Sequence, residues 1–240
     1  MKAVICGANG AMGKLIQARL DGNIAGLVSI DGENNVPKTF DALGFVDANV
    51  VVDFSHHSAV FSVLDYAKKI GCAAVIGTTG HTEEEKAAIF EAAKEIPVFY
   101  SGNMSLGIAV LCRLAKEAAA CFPDADIEIV ETHHNRKVDA PSGTAWMLFE
   151  AIRQVRPNAV ANCGRAGEGK RTKKEIGIHS LRRGNVVGIH EVIITTENQS
   201  LSLRHDAGDR GMLADGAVRA AKFMEGKPAG LYNMNDLLGG

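Results

Sequence analysis

The stretch Glu131-Thr132-His133-His134-Asn135-Arg136-Lys137-Val138-Asp139-Ala140-Pro141-Ser142-Gly143-Thr144-Ala145 gathers two histidines, an arginine, a lysine and a helix start within a chain of 240 residues. A histidine titrating near neutrality beside a cationic lysine suits proton delivery and the holding of an anion. Successive residues at a strand end face opposite sides, so His133 and His134 are poor co-ligands for one metal ion, and no metal site is expected. Pro141-Ser142-Gly143-Thr144 opens a helix with Ser142 as its N-cap. That helix end offers Ser142, Gly143 and Thr144 to a carboxylate. The same residues also read as a solvated loop closed by a capping serine.

A second pattern, Gly7-Ala8-Asn9-Gly10-Ala11-Met12-Gly13, follows the apolar run Ala3-Val4-Ile5-Cys6 and opens a helix. In that context the glycines allow a sharp turn, close approach of a pyrophosphate to backbone N–H groups, and tight packing of helix on sheet. The spacing is GxxGxxG rather than GxGxxG, which a plain strand-to-helix turn also satisfies. Asp31, close to 20 residues further on, stands where a carboxylate takes the ribose hydroxyls of a dinucleotide; the alternative is an aspartate starting a turn before Gly32. No arginine follows it and Ala11 sits inside the first loop, so NADH is expected in preference to NADPH, with Lys14 and Lys38 the nearest bases.

Both patterns need elements to carry them. Strand-like runs at Ala3 to Cys6, Gly26 to Ile30, Asn49 to Asp53, Cys72 to Ile76 and Pro97 to Tyr100 alternate with helical stretches near Gly13 to Leu20, Ser58 to Ile70 and Glu83 to Glu95. This alternation predicts an α/β fold, a Rossmann-type doubly wound parallel sheet, in which ligands lie beyond the carboxyl ends of the strands. Gly77-Thr78-Thr79-Gly80 and Ser101-Gly102-Asn103-Met104 follow two of those strands. After a helix over Leu106 to Ala119 the pattern changes to a strand at Ile127 to Thr132, a helix from Ser142 to about Gln154, and strands near Ile176 to Leu181, Val186 to Thr196 and Ser200 to Arg204. Hairpin-length connections there predict an antiparallel or mixed sheet in a smaller α+β domain, with the boundary near Ser105. A last helix, Met212 to Met224, fits either domain. Gly164 to Arg183 is rich in lysine and arginine and reads as a flexible loop.

Composition narrows the classes. With 26 Lys plus Arg against 28 Asp plus Glu, the formal charge is −2, which supplies no overall field for a phosphate polymer, so no nucleic-acid partner is expected. At 46% hydrophobic and 22% charged residues the chain is neither disordered nor membrane-spanning in character. Five scattered cysteines without a CxxC pair read as reduced thiols. The strand-like N-terminus carries no export signal, so a cytoplasmic protein is expected.

The Glu131 to Ala145 stretch resembles the E-x-H-H-x-x-K-x-D-A-P-S-G-T-A signature of the dihydrodipicolinate reductase family, whose members act in the diaminopimelate route to lysine. Gly7 to Gly13, Val52-Asp53-Phe54-Ser55, Gly77-Thr78-Thr79-Gly80, Gly102 to Gly107, Ile178 to Arg182 and Gly188-Ile189-His190-Glu191 also resemble family segments, in family order. The resemblance implies reduction of 4-hydroxy-tetrahydrodipicolinate by NADH or NADPH, with His133 and Lys137 as the catalytic pair supplying a proton after hydride arrives at C4. It implies that His134, Ser142, Gly143 and Thr144 bind this small cyclic dicarboxylate. It also implies that Gly7, Asn9, Gly10, Ala11, Met12, Gly13, Asp31, Gly77, Thr78, Thr79, Ser101, Gly102, Asn103 and Met104 bind the cofactor. A dinucleotide-binding domain over 1–104 completed by 212–240, a substrate-binding and oligomerisation domain over 105–211, and a homotetramer built through the second sheet follow from the same likeness. Two other classes compete. A semialdehyde dehydrogenase needs a cysteine nucleophile, and a nucleotide-sensing binding protein would leave His133, His134 and Lys137 without a purpose.

Overall fold

The computed structural model describes residues 1–239, which divide into two compact units: Met1–Leu106 together with the residues from Gly211 onward, and Gly107–Arg210. The first unit begins with β1 (Ala3–Cys6), α1 (Ala11–Leu20), β2 (Ile24–Val28), α2 (Phe40–Leu43), β3 (Val50–Asp53), α3 (Val60–Ile70), β4 (Ala73–Ile76), α4 (Glu83–Ala92) and β5 (Pro97–Tyr100). The second holds α5 (Leu106–Cys121, all but its first residue), β6 (Asp126–His133), α6 (Gly143–Arg153), β7 (Val160–Cys163), β8 (Glu175–Arg182), β9 (Gly188–Thr195) and β10 (Ser200–Ala207). The chain then completes the first unit with α7 (Gly211–Phe223), β11 (Gly230–Tyr232) and α8 (Met234–Leu237).

The first sheet is parallel throughout, in the order β11-β5-β4-β3-β1-β2. Its inner strands are apolar at nearly every position, and β1, β3 and β4 are buried along their whole length, as a sheet covered on both faces requires. The strand order reverses between β1 and β3, so a crevice opens at the carboxyl ends of those two strands. Helix α7 is built from small residues on its buried side, Ala214, Gly216, Ala217, Ala220 and Ala221, and packs on α1, β3 and β4. A Cβ at Gly216 would overlap the Met104 carbonyl group, so only glycine lets this helix come so close. Arg19 of α1 pairs with Asp215 of α7.

The second sheet runs β10-β9-β6-β8-β7. Strands β6, β8 and β7 are mutually parallel, whereas β9 is antiparallel to β6 and to β10. One face packs on α5 and α6 through Ile127, Ile129, Ile176, Leu111, Leu148 and Ile152. The hairpin expected between the strands near Ile176 and Val186 does not form. β6 lies between β8 and β9, and residues 183–187 arch over its end. Five residues span the roughly 10 Å between next-nearest strands as readily as they close a hairpin, so connection length alone could not separate the two topologies. The arch holds the end of β6 from above: Arg183 N–H donates to the His133 carbonyl (2.9 Å) and Asn135 N–H to the Gly184 carbonyl (3.1 Å).

Other differences from the sequence reading are local. Helix α1 starts at Ala11 and β2 two residues before Gly26, while β7 and β11 are edge strands with exposed and half-buried residues and no apolar run to stand out as a pattern. The basic segment is not a free loop: Arg165 pairs with Glu175, and Arg171 reaches Asp126 (3.1 Å), Glu128 (3.2 Å) and the Ile127 carbonyl (2.8 Å). No helix among the described residues is long and apolar enough to cross a membrane.

Candidate active site

In the first unit the glycine loop lies at the carboxyl end of β1. Gly7 has φ +80°, and a Cβ there would come within 2.8 Å of the Phe54 carbonyl carbon; at Gly13 it would sit 2.8 Å from Ala8 Cα. Gly10, with an ordinary negative φ, would meet only the Gly7 carbonyl at 3.2 Å. Helix α1 has no side-chain cap on Gly10 and no acidic residue in its first turn, so its leading N–H groups are open to an anion. Ala11 is exposed and Met12 half-buried beside them. Asp31, one of the exposed residues following β2, has its Oδ1 held by Asn9 Nδ2 (2.5 Å) and Glu33 N–H (3.0 Å). These bonds keep its carboxyl below the ordinary range, the Asn9 bond most strongly. A cavity of about 790 Å³ opens here, lined by Gly7, Gly10, Asp31, Lys38, Phe54 and Lys69 among others. An open helix end, a fixed carboxylate and this volume fit a dinucleotide.

The loops after β3, β4 and β5 adjoin. A Cβ at Gly77 would lie 2.6 Å from a Phe54 ring carbon. The Thr78 hydroxyl donates to the buried Asp53 (2.7 Å) and accepts from Ser55 N–H (3.0 Å), so that side chain is spent tying β3 to β4. Thr79 is exposed. Ser101 Oγ donates to the Asn103 carbonyl (2.8 Å), Gly102 is exposed, and Met104 is fully buried, so its side chain belongs to the core. Burial pushes Cys6 and Cys72 up to about 12 and Cys112 up to about 11, which leaves these three thiols without thiolate character and weakens the dehydrogenase alternative.

In the second unit His133 ends β6, with Nδ1 2.5 Å from Glu131 Oε2. Glu131 is completely buried and receives both terminal nitrogens of Arg182 (2.8 and 2.9 Å) and the Ser142 N–H (3.2 Å). Burial raises the Glu131 carboxyl; hydrogen bonds from His133, Arg182 and Ser180 outweigh it and hold the group well below the usual range. Ser142 caps α6 through Ala145 N–H (3.2 Å), and its hydroxyl contacts His190 Nε2 (3.1 Å). The His190 ring meets that of His133 edge-on at 5.1 Å. Lys137 pairs with Asp139 (2.8 Å) on the loop between β6 and α6, and Arg182 fastens that loop through the Asp139 carbonyl (2.6 Å). His134 is half-buried with an unpartnered Nδ1, Gly143 is exposed and Thr144 half-buried at the helix start. Among the described residues no group of three His, Cys, Asp or Glu side chains is arranged to hold a metal.

The family models "Dihydrodipicolinate reductase, N-terminus" and "Dihydrodipicolinate reductase, C-terminus" match residues 1–104 and 107–238. The chain belongs to the dihydrodipicolinate reductase family. The 4-hydroxy-tetrahydrodipicolinate reductases of Alkaliphilus metalliredigens and Caldanaerobacter subterraneus subsp. tengcongensis are each 43% identical to it, over 100% and 99% of this chain and 99% and 98% of theirs. A dipicolinate-bound dihydrodipicolinate reductase from Paenisporosarcina sp. TG-14 superposes with a TM-score of 0.79 at 25% identity, covering 98% of both chains. The chain is therefore an oxidoreductase with 4-hydroxy-tetrahydrodipicolinate reductase activity, of a family that serves lysine and diaminopimelate biosynthesis with a nicotinamide cofactor.

Within this reductase the sequence reading named His133, Lys137 and Ser142 but gave no role to Glu131, Arg182 or His190, which surround them. The available signal was alternation: Glu131 shares a strand face with His133, and a charged residue at an apolar-facing position calls for a partner. Burial, followed by the charge of neighbouring His133, depresses the pKa of His190 to about 4 from 6.5. The folded protein therefore keeps this ring neutral while the unfolded chain protonates it, so stability is full above pH 6.5 and is lost as pH falls toward 4. The loss amounts to roughly 3 kcal/mol at 1.36 kcal/mol per pH unit. Melting temperatures from pH 7.5 to 4 check this; His190→Asn should flatten the acid side of the curve, and an unchanged slope would contradict the assignment.

Proposed function

We propose that His133 and Lys137 supply the proton that completes reduction of 4-hydroxy-tetrahydrodipicolinate, with loss of water, to tetrahydrodipicolinate. The bound NADH or NADPH supplies the hydride, received at C4 of the ring. The residues of the chain do the rest. His133 is held by Glu131 on one ring nitrogen, which leaves the other for proton exchange, and Lys137 brings a cation and a second proton source on the adjoining loop. Ser142, Gly143 and Thr144 offer the start of α6 to one substrate carboxylate, and His134 contacts the ring. The observation carrying this reading is that one strand end and one helix start, joined by the Lys137 loop, are fastened together through Glu131. The dipicolinate bound to the Paenisporosarcina relative is likewise a six-membered nitrogen ring with two carboxylates, which supports the substrate class.

For the cofactor, Gly7, Asn9, Gly10, Ala11, Met12 and Gly13 are assigned to the pyrophosphate and Asp31 to the ribose. Gly77, Thr78, Thr79, Ser101, Gly102, Asn103 and Met104 are assigned to the nicotinamide side, Thr78 and Met104 through their backbones. The Asp31 carboxylate disfavours a 2′-phosphate, so kcat/KM is expected to be higher with NADH than with NADPH. Lys38, whose stem lies over Gly32 beside Asp31, moderates that difference. Initial rates at 340 nm, with substrate made in situ from aspartate semialdehyde and pyruvate by the preceding synthase, test reaction and preference together. Absence of turnover with cofactor binding intact would favour a nucleotide sensor, and a tenfold preference for NADPH would overturn the Asp31 assignment. Asp31→Ser should narrow the gap.

A cytoplasmic homotetramer assembled through the mixed sheet completes the proposal, in keeping with the exposed Leu181 and Leu201 on its strands. Light scattering at micromolar concentration should return four times the chain mass.

A further inference from the structure

We infer that Glu131 is a positioning residue: through its bond to Nδ1 it fixes His133 in the tautomer that carries the Nδ1 proton, so that Nε2 is the atom that exchanges protons with the substrate. This deepens the reading of His133 given above and rests on it. Three observations carry it. The carboxylate is fully buried and 2.5 Å from Nδ1, and an ionised carboxylate accepts only, so the imidazole must donate there. Arg182 holds both carboxylate oxygens and the Ser142 N–H reaches one of them, so the carboxylate cannot rotate away. On the far side of the ring Nε2 makes no hydrogen bond to the described residues, and the space beside it exists because residue 188 is glycine: a Cβ at Gly188 would lie 3.1 Å from Nε2.

The backbone supports the same geometry. Arg183 N–H holds the His133 carbonyl from the arch between β8 and β9, and Arg182, the residue before it, holds Glu131 by its side chain. One turn of chain thus fixes both the histidine and the group that orients it. A buried carboxylate–arginine pair serving only the fold would need no histidine in contact with it. Its removal would then cost stability and leave turnover of the folded fraction unchanged.

The test uses the full-length reductase, labelled with 15N-histidine, and the variants Glu131→Gln, Glu131→Asp and His133→Gln. Glutamine removes the charge that selects the tautomer; aspartate keeps the charge for Arg182 but withdraws it from Nδ1 by one methylene. With Glu131→Gln, kcat should fall roughly 10²–10⁴-fold, the scale seen when a histidine loses its orienting carboxylate, with KM for substrate and Kd for NADH within about threefold. The 15N shifts of the His133 signal, identified by its loss in His133→Gln, should move from an Nδ1-protonated to an Nε2-protonated pattern. Glu131→Asp should show the same changes in smaller measure, and it decides the matter alone if the glutamine variant does not fold. Folded variants with wild-type kcat and an unchanged Nδ1-protonated signal would overturn the positioning role. Normal turnover in His133→Gln would instead remove His133 from the mechanism, whatever Glu131 does.

Discussion

Lys137→Ala is expected to lower kcat by roughly 10²–10⁴-fold, the range by which a positioned acid or base contributes to catalysis, while Kd for NADH changes by less than about twofold. Lys137 stands on the loop between His133 and the start of α6, only one-fifth exposed, with Asp139 as its ion-pair partner. Removing the ammonium group takes away a proton source and a cation beside the place assigned to a dicarboxylate. Among the described residues its partners lie on its own loop, Asp139 through the side chain and the His134 carbonyl through the backbone N–H, so loss of the side chain should leave the melting temperature nearly unchanged. The measurement is a steady-state assay with saturating NADH beside a fluorescence titration of NADH. Near-normal turnover would take Lys137 out of the mechanism. Lys137→Arg should not restore the rate, because a guanidinium keeps its proton at any working pH.

The second large effect belongs to the glycine loop, where the three glycines are not equivalent. Gly13→Ala is expected to weaken NADH binding by more than tenfold and to lower stability by about 1–3 kcal/mol, the usual cost of forcing a methyl group into packed backbone. Its new Cβ would press on Ala8 and the Gly7 carbonyl and displace the turn that precedes α1. Gly10→Ala should be mild in the thermal melt, since its backbone is ordinary and its one close neighbour is 3.2 Å away, while its exposed methyl group would stand where the pyrophosphate is assigned and weaken NADH binding. Thermal melts and cofactor titrations of the two variants side by side make the comparison. Equal, small effects at both positions would mean that the loop yields to accommodate a side chain and does not form a fixed cradle.

The contrast between those glycines was not legible in the sequence, although the loop was. A fully buried parallel sheet announces itself by short apolar runs such as Val50-Val51-Val52 and by the glycines that end them, because both are consequences of local chain geometry. The second sheet is different. Its central strand β6 takes partners 49 positions later on β8 and 57–69 positions later on β9, and nothing in the spacing of Leu181 and Val186 says that a third strand lies between them. Glu131 and Arg182 belong to the same class of hidden information: each is an ordinary charged residue until pairing of β6 with β8 sets them side by side. His133, Lys137 and Ser142 were visible because they share one segment with a helix cap, whereas Arg182 and His190, which complete their surroundings, arrive from β8 and β9.

The return of α7 and β11 to the first unit also dictates an order of assembly on the ribosome. All residues of the second unit, Gly107–Arg210, emerge before Gly211, so that unit can close while the first still lacks the helix that covers β3 and β4 and the strand that borders β5. Until then Phe99, whose ring meets Phe223 of α7, and its in-register neighbours Val52 and Val75 lie on a sheet face whose cover is incomplete. The small-residue face of α7, matched to the Met104 carbonyl by Gly216, docks only after the whole second unit has been made. A chain truncated ahead of Gly211 should therefore retain a folded second unit and expose an aggregation-prone parallel sheet.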